Sequence, residues 1–148
     1  MNPLSIYQQA LDVVSNAVLQ GDFKRYSDQI DLPYLVHTNL ARLLIHAVEE
    51  LRPTFDALCQ RLQAHKVTHY ERVARAADYV GADRIDGWHF THLISNGAHA
   101  AAPHSARLVL VRRTVGWRFS EAHYATEAAS WPIPGHLLFP SSPLRGSV

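Results

Sequence analysis

Glu121 and His123, in the run Trp117-Arg118-Phe119-Ser120-Glu121-Ala122-His123-Tyr124, are the side chains best placed to do chemistry. On a strand, positions i and i+2 share a face, so a carboxylate and an imidazole would meet there. Such a pair is an oriented general base: the Glu fixes the ring's tautomer while the other ring nitrogen takes a proton from a substrate. The competing role is a solvated or subunit-facing ion pair. His37, in Tyr34-Leu35-Val36-His37-Thr38, is a further candidate, either as a base or as a donor orienting a ligand. A histidine hydrogen-bonded in the core or at a rim would look the same in sequence. Tyr26 and Tyr70 are candidate pocket hydroxyls, with core packing as the alternative for each.

A dedicated metal site is not expected. His89 and His92 fall on opposite faces of a strand, His65 and His69 straddle a helix end, and His99 and His104 sit among Ala and Pro. No helical His-Glu-x-x-His occurs. No cofactor is implied, since the chain has neither a glycine-rich phosphate loop nor a nucleophile elbow.

These groups need a scaffold, and the composition allows one. A chain of 148 residues with 47% hydrophobic and 18% charged residues makes one globular domain with a substantial core. Fourteen Lys and Arg nearly cancel thirteen Asp and Glu, which leaves no field to gather nucleic acid or an anionic membrane. Arg112 and Arg113 alternate between faces and read, with Arg118, as solvated rim residues. Ten histidines make the net charge climb as pH falls through the imidazole range. Cys59 stands alone, without an adjacent base, and reads as a small core residue. No apolar run is long enough to span a bilayer and no leader pattern is present, so a cytoplasmic protein is expected.

Helical periodicity is confined to the first half of the chain. Ser5-Ile6-Tyr7-Gln8 has capping-box spacing, and Ile6, Ala10, Val13, Val14, Ala17 and Val18 form an apolar stripe behind it. Gly21 should close that helix, with Asp22 capping a short second one that turns Phe23, Tyr26 and Ile30 inward. Two short strands at 34–38 and 41–45 follow Pro33. A third helix buries Leu51, Phe55, Leu58, Cys59 and Leu62, with Glu49 and Glu50 in its first turn. Then come four long runs rich in β-branched and aromatic residues, at 69–80, 84–98, 105–114 and 117–126. They predict an α+β fold, a curved antiparallel sheet covered on one face by three N-terminal helices. The Pro, Gly and Ser-rich tail at 127–148 carries Trp131, Ile133, Leu137, Leu138 and Phe139, too apolar to be solvated, and should pack on its own or a partner subunit.

The order of these elements resembles the nuclear transport factor 2-like superfamily, the cone-shaped, cystatin-like fold that includes SnoaL-like cyclases, ketosteroid isomerases and scytalone dehydratase. The resemblance covers roughly residues 5–126 and rests on element order and three local marks. These are Gln20-Gly21-Asp22-Phe23, Val80-Gly81-Ala82-Asp83-Arg84-Ile85 and Gly116-Trp117-Arg118-Phe119. It implies a mostly apolar cavity between helices and concave sheet, binding a small hydrophobic molecule, and a homodimer formed through the sheet. The catalytic signatures do not transfer. Where the isomerases place a carboxylate base, this chain has Val36-His37-Thr38, and their first-helix tyrosine meets Val13-Val14-Ser15. No histidine pair aligns with that of scytalone dehydratase.

A three-residue loop at 114–116 would set Arg113 opposite Trp117, Val111 opposite Phe119, Val109 opposite Glu121 and Arg107 opposite His123. With Trp117 and Phe119 marking the concave face, Val109, Val111, Trp117 and Phe119 should line the pocket beside Tyr26 and Tyr70. Glu121 and His123 should then point into it. The first expectation is therefore a homodimeric, cofactor-independent binder of a small hydrophobic molecule. The second is a lyase or isomerase acting on a hydrophobic carbonyl compound through Glu121, His123 and His37. An interaction module using the convex sheet and the tail is the third.

Overall fold

In the computed structural model, residues 2–38 and 42–124 are described. The first helix, α1 (Pro3–Gln20), begins earlier than the Ser5-to-Gln8 spacing predicts. Pro3 sits in the first turn, where its missing N–H costs nothing, and the Asn2 side chain accepts the Ser5 N–H at 2.8 Å. Gly21 ends the helix in the left-handed region at φ 69°, and Asp22 caps α2 (Phe23–Ser27), both as expected. After β1 (Ile30–His37) and β2 (Arg42–Ile45), a tight turn at Val48–Leu51 leads into α3 (Arg52–Ala64). Glu50 holds that turn by accepting the N–H groups of His46 and Ala47.

The long strands are β3 (His69–Tyr79), β4 (Arg84–Ser95), β6 (His104–Arg113) and β7 (Gly116–Tyr124). β4 stops short of residue 98 because Asn96 and Gly97 both take positive φ, 53° and 78°. They turn the chain back, so that β5 (Ala98–His99) pairs with the end of β4. That Asn-Gly pair is a strong hairpin signal. The sheet runs β2-β1-β7-β6-β4-β3, and all pairings are antiparallel except β1 with β7, which is parallel.

One face of this curved sheet carries the core. Tyr7, Leu11 and Val14 of α1 pack with Tyr34, Val36, Ile85, Leu108, Leu110, Phe119 and Ala122. A second cluster joins Phe55, Leu58 and Leu62 of α3 to Val18, Tyr70 and Leu93. Each such large side chain removed from water contributes about 1.5–3 kcal/mol, which fixes the helices on this face.

The β6–β7 register decides what faces the core. The hairpin loop has two residues, Thr114 and Val115, so Arg113 pairs with Gly116, Arg112 with Trp117, Val111 with Arg118 and Leu110 with Phe119. A bulge at Ser120 then restores the expected partners, Val109 with Glu121 and Arg107 with His123. The extra residue reverses the alternation: Phe119 and Ala122 face the helices, while Glu121 and His123 turn to the outer, convex face.

Gln8, freed from the capping role, braces the outer edge of β3. Its amide nitrogen donates to the Arg72 carbonyl at 2.7 Å and its oxygen accepts the Ala74 N–H at 2.8 Å, next to the β3 bulge between Ala74 and Ala76. An edge strand offers unpaired backbone groups, and this side chain satisfies two of them. Gln8→Ala is expected to cost about 1–2 kcal/mol, read as a lower urea midpoint with an unchanged slope.

Candidate functional site

Between the helices and the concave face lies a largely enclosed cavity of about 60 Å³. Its apolar wall comes from Val14 and Val18 of α1, Val36 of β1, Ile45 of β2, Leu51 and Leu58 around α3, Leu108 of β6 and Phe119 of β7. Strand alternation explains the set: Tyr34 and Val36 point inward from β1, Tyr70 and Arg72 from β3. Four tyrosines, Tyr26, Tyr34, Tyr70 and Tyr124, add hydroxyls to this wall. Burial pushes Tyr26, Tyr34 and Tyr124 up from their ordinary range, Tyr124 to about 12, so all three are neutral at physiological pH. A hydrogen bond joins Tyr34 to Tyr124.

Among the described residues, the one charged side chain in the wall is Arg72, buried at 6% exposure. Its Nε donates to Ser15 Oγ at 3.0 Å, one Nη reaches the Leu11 carbonyl at 3.5 Å, and the guanidinium lies 5.4 Å from the centre of the Tyr70 ring. No ion pair to it is formed among the described residues. Sequence reading passed over Arg72, although it lies two residues beyond Tyr70 and so on the same face.

Of the residues expected at the pocket, Tyr26, Tyr70 and Phe119 line the cavity. Val109, Val111 and Trp117 do not. Val109 and Val111 share the convex face, Val109 lying in register between Asp86 and Glu121 and Val111 between Arg84 and Arg118. Trp117 stays on the core side but packs near Tyr79, away from the cavity. The two-residue loop shifts Val111 off Phe119, and the bulge separates Phe119 from Glu121.

Glu121, His123 and His37 do come together, on the convex face and not in the cavity. His123 Nε2 lies 3.2 Å from Glu121 Oε1, and both side chains are 26% exposed. The parallel pairing of β1 with β7 sets His37 level with His123, and their rings stack at 4.4 Å with planes 8° apart. Glu121 also meets Arg84 at 3.5 Å, which is itself held by Asp86 at 2.8 Å. Desolvation, the His123 ring and Arg42 lower the His37 pKa against the pull of Glu121. His37 and His123 border an open groove with Trp88, Ser105 and Arg107, and Tyr124 lines both this groove and the cavity.

The three could hold a divalent ion, since one donor atom from each lies within 4.8 Å of the others. Two imidazoles and a carboxylate suit zinc or another first-row metal. Stacked, parallel rings do not aim their nitrogens at one point, so a bond of about 2.0–2.1 Å to each would require a ring to rotate. Sequence spacing hides this trio because its members come together only through strand pairing.

No protein-family model and no curated protein matches the chain. Solved structures do. An NTF2-like protein of unknown function from Shewanella oneidensis is 11% identical, with a TM-score of 0.63, covering 82% of this chain and 98% of its own. An NTF2-like protein with a cystatin-like fold from Novosphingobium aromaticivorans is 16% identical, with a TM-score of 0.58 and coverage of 85% and 84%. A candidate dehydratase of the NTF2-like family from Streptomyces avermitilis is 14% identical, with a TM-score of 0.58 and coverage of 82% and 93%. The chain has the nuclear transport factor 2-like, cystatin-like fold. At these identities the likeness extends to architecture alone.

Proposed function

We propose that this domain binds a small, mostly apolar molecule in the cavity between its helices and the concave sheet. The observation that carries the reading is the cavity itself, an apolar wall with a few convergent polar groups, the usual composition of a ligand site. Its size bounds the ligand. At about 60 Å³ it is under half of the roughly 150 Å³ engineered cavity that admits benzene, so it suits a molecule of few heavy atoms. Homodimerisation through the sheet and a cytoplasmic setting belong to the same proposal. Val73 and Trp88 expose large apolar surface on the convex face, and no described helix is long and apolar enough to cross a membrane.

A second reading, a cofactor-independent lyase or isomerase, is favoured by the meeting of Glu121, His123 and His37. Those groups stand on the far side of the sheet from the cavity, so a ligand held there would not touch them. Binding therefore does not need the trio.

Native mass spectrometry of protein from its own host tests both readings. The expected spectrum is a dimer carrying a small adduct, retained in His123→Ala and weakened by about tenfold or more in Val18→Phe, which fills the cavity. A protein that carries no adduct and takes up no small molecule would end the binding reading. An adduct lost on His123→Ala would move the site to the convex groove.

A further inference from the structure

We infer that the ligand of this cavity is a small monocarboxylic acid, bound as its anion with the carboxylate on Arg72 and the carbon chain against Val14, Val18 and Leu108. This rests on the reading of the cavity as a binding site and adds the chemical class. A cation taken out of water must be paired, or the fold bears its desolvation uncompensated. Arg84, Arg112 and Arg113, at 41%, 52% and 55% side-chain exposure, each have a carboxylate partner. Arg72, far more buried, has none among the described residues. A guanidinium offers five N–H donors. The hydrogen bonds to Ser15 and Leu11 engage only Nε and one Nη nitrogen.

The lining chooses among anions. Among the described residues it contains one cation, which balances one negative charge, whereas a phosphate monoester carries nearly two. A planar carboxylate fits the guanidinium fork in two parallel bonds. Tyr26, Tyr34 and Tyr124 around it are neutral and so supply hydroxyl donors and acceptors without cancelling the charge. The cavity's size limits the acid to a short chain.

Calorimetric titration of the full chain with acetate and its near-isosteric amide, acetamide, four heavy atoms each and so within the cavity's size, tests the inference. Wild type is expected to bind the acid about tenfold or more tightly than the amide, and Arg72→Met to lose that preference while still taking the amide. The wild-type comparison needs no variant to fold. Equal affinity for acid and amide would overturn the carboxylate assignment while leaving the cavity as a binding site. Binding of neither would overturn the assignment, and absence of xenon uptake in the same protein would then also remove the cavity reading.

Discussion

Alanine in place of Gly87 is expected to destabilise the fold by about 2–3 kcal/mol, although alanine is ordinarily the better residue for a strand interior. Removing a strand glycine usually gains about 0.5–1 kcal/mol through the unfolded chain's entropy, so the sign of the result is informative. Here a Cβ would lie 2.6, 2.7 and 2.8 Å from three carbons of the Tyr7 ring. No real Cβ contact is that short, and the ring has nowhere to go. Tyr7 is fully buried, and its hydroxyl is hydrogen-bonded to His89 Nδ1 at 2.8 Å, which pins the far end of the side chain. The close approach of α1 to β4 is thus built on a missing side chain, and either helix or ring must shift to admit one. Urea unfolding reads the loss directly. In a double-mutant cycle with Tyr7→Leu, the clash is relieved, so the two changes together should cost about 1–2 kcal/mol less than their sum. Additive costs, or a stabilised Gly87→Ala, would show that α1 does not press on the sheet there.

The same close packing marks what sequence could and could not reveal. Gly21-Asp22 announces the helix junction, and the β-branched and aromatic runs announce the long strands, because caps and alternation are local. Gly87 carries no such mark. The bulge at Ser120 does leave a trace, since the consecutive polar residues Ser120 and Glu121 break the apolar-polar alternation of Trp117 to Tyr124, and one extra residue inverts the faces of Glu121 and His123. Pairing those two was legible; placing them on the convex face required that break in phase to be read as a bulge. His37 joins them only because β1 runs parallel to β7, a topological fact with no local trace. Arg72 lies two residues beyond Tyr70 and so on its face, but an arginine in a strand reads as solvated unless tertiary packing is known.

Stability is expected to fall steeply once pH drops below about 6.5, because two histidines are buried in their neutral form. His89 is 1% exposed, and burial, reinforced by the Arg72 and His104 charges, lowers its pKa to about 2. Burial likewise lowers His104 to about 4, against a backbone hydrogen bond at Ala102. In the unfolded chain both titrate near 6.5. Below that value the unfolded state binds protons that the folded state refuses, so the equilibrium moves toward unfolding as acid is added. Above about pH 6.5 the full stability is present. Each group contributes a slope of about 1.4 kcal/mol per pH unit, from both histidines down to about pH 4 and from His89 alone down to about pH 2. Between pH 6.5 and pH 5 the two together remove about 4 kcal/mol, a large share of the about 5–15 kcal/mol that holds a typical domain. Urea midpoints at pH 7.5, 6.0 and 5.0 measure this, and His89→Gln, which cannot titrate, should halve the slope. A midpoint that stays level across that range, or a slope unaltered by His89→Gln and His104→Gln alike, would mean that water reaches these rings. Arg72 would then not lie in the dry interior that makes its lone positive charge need a bound anion.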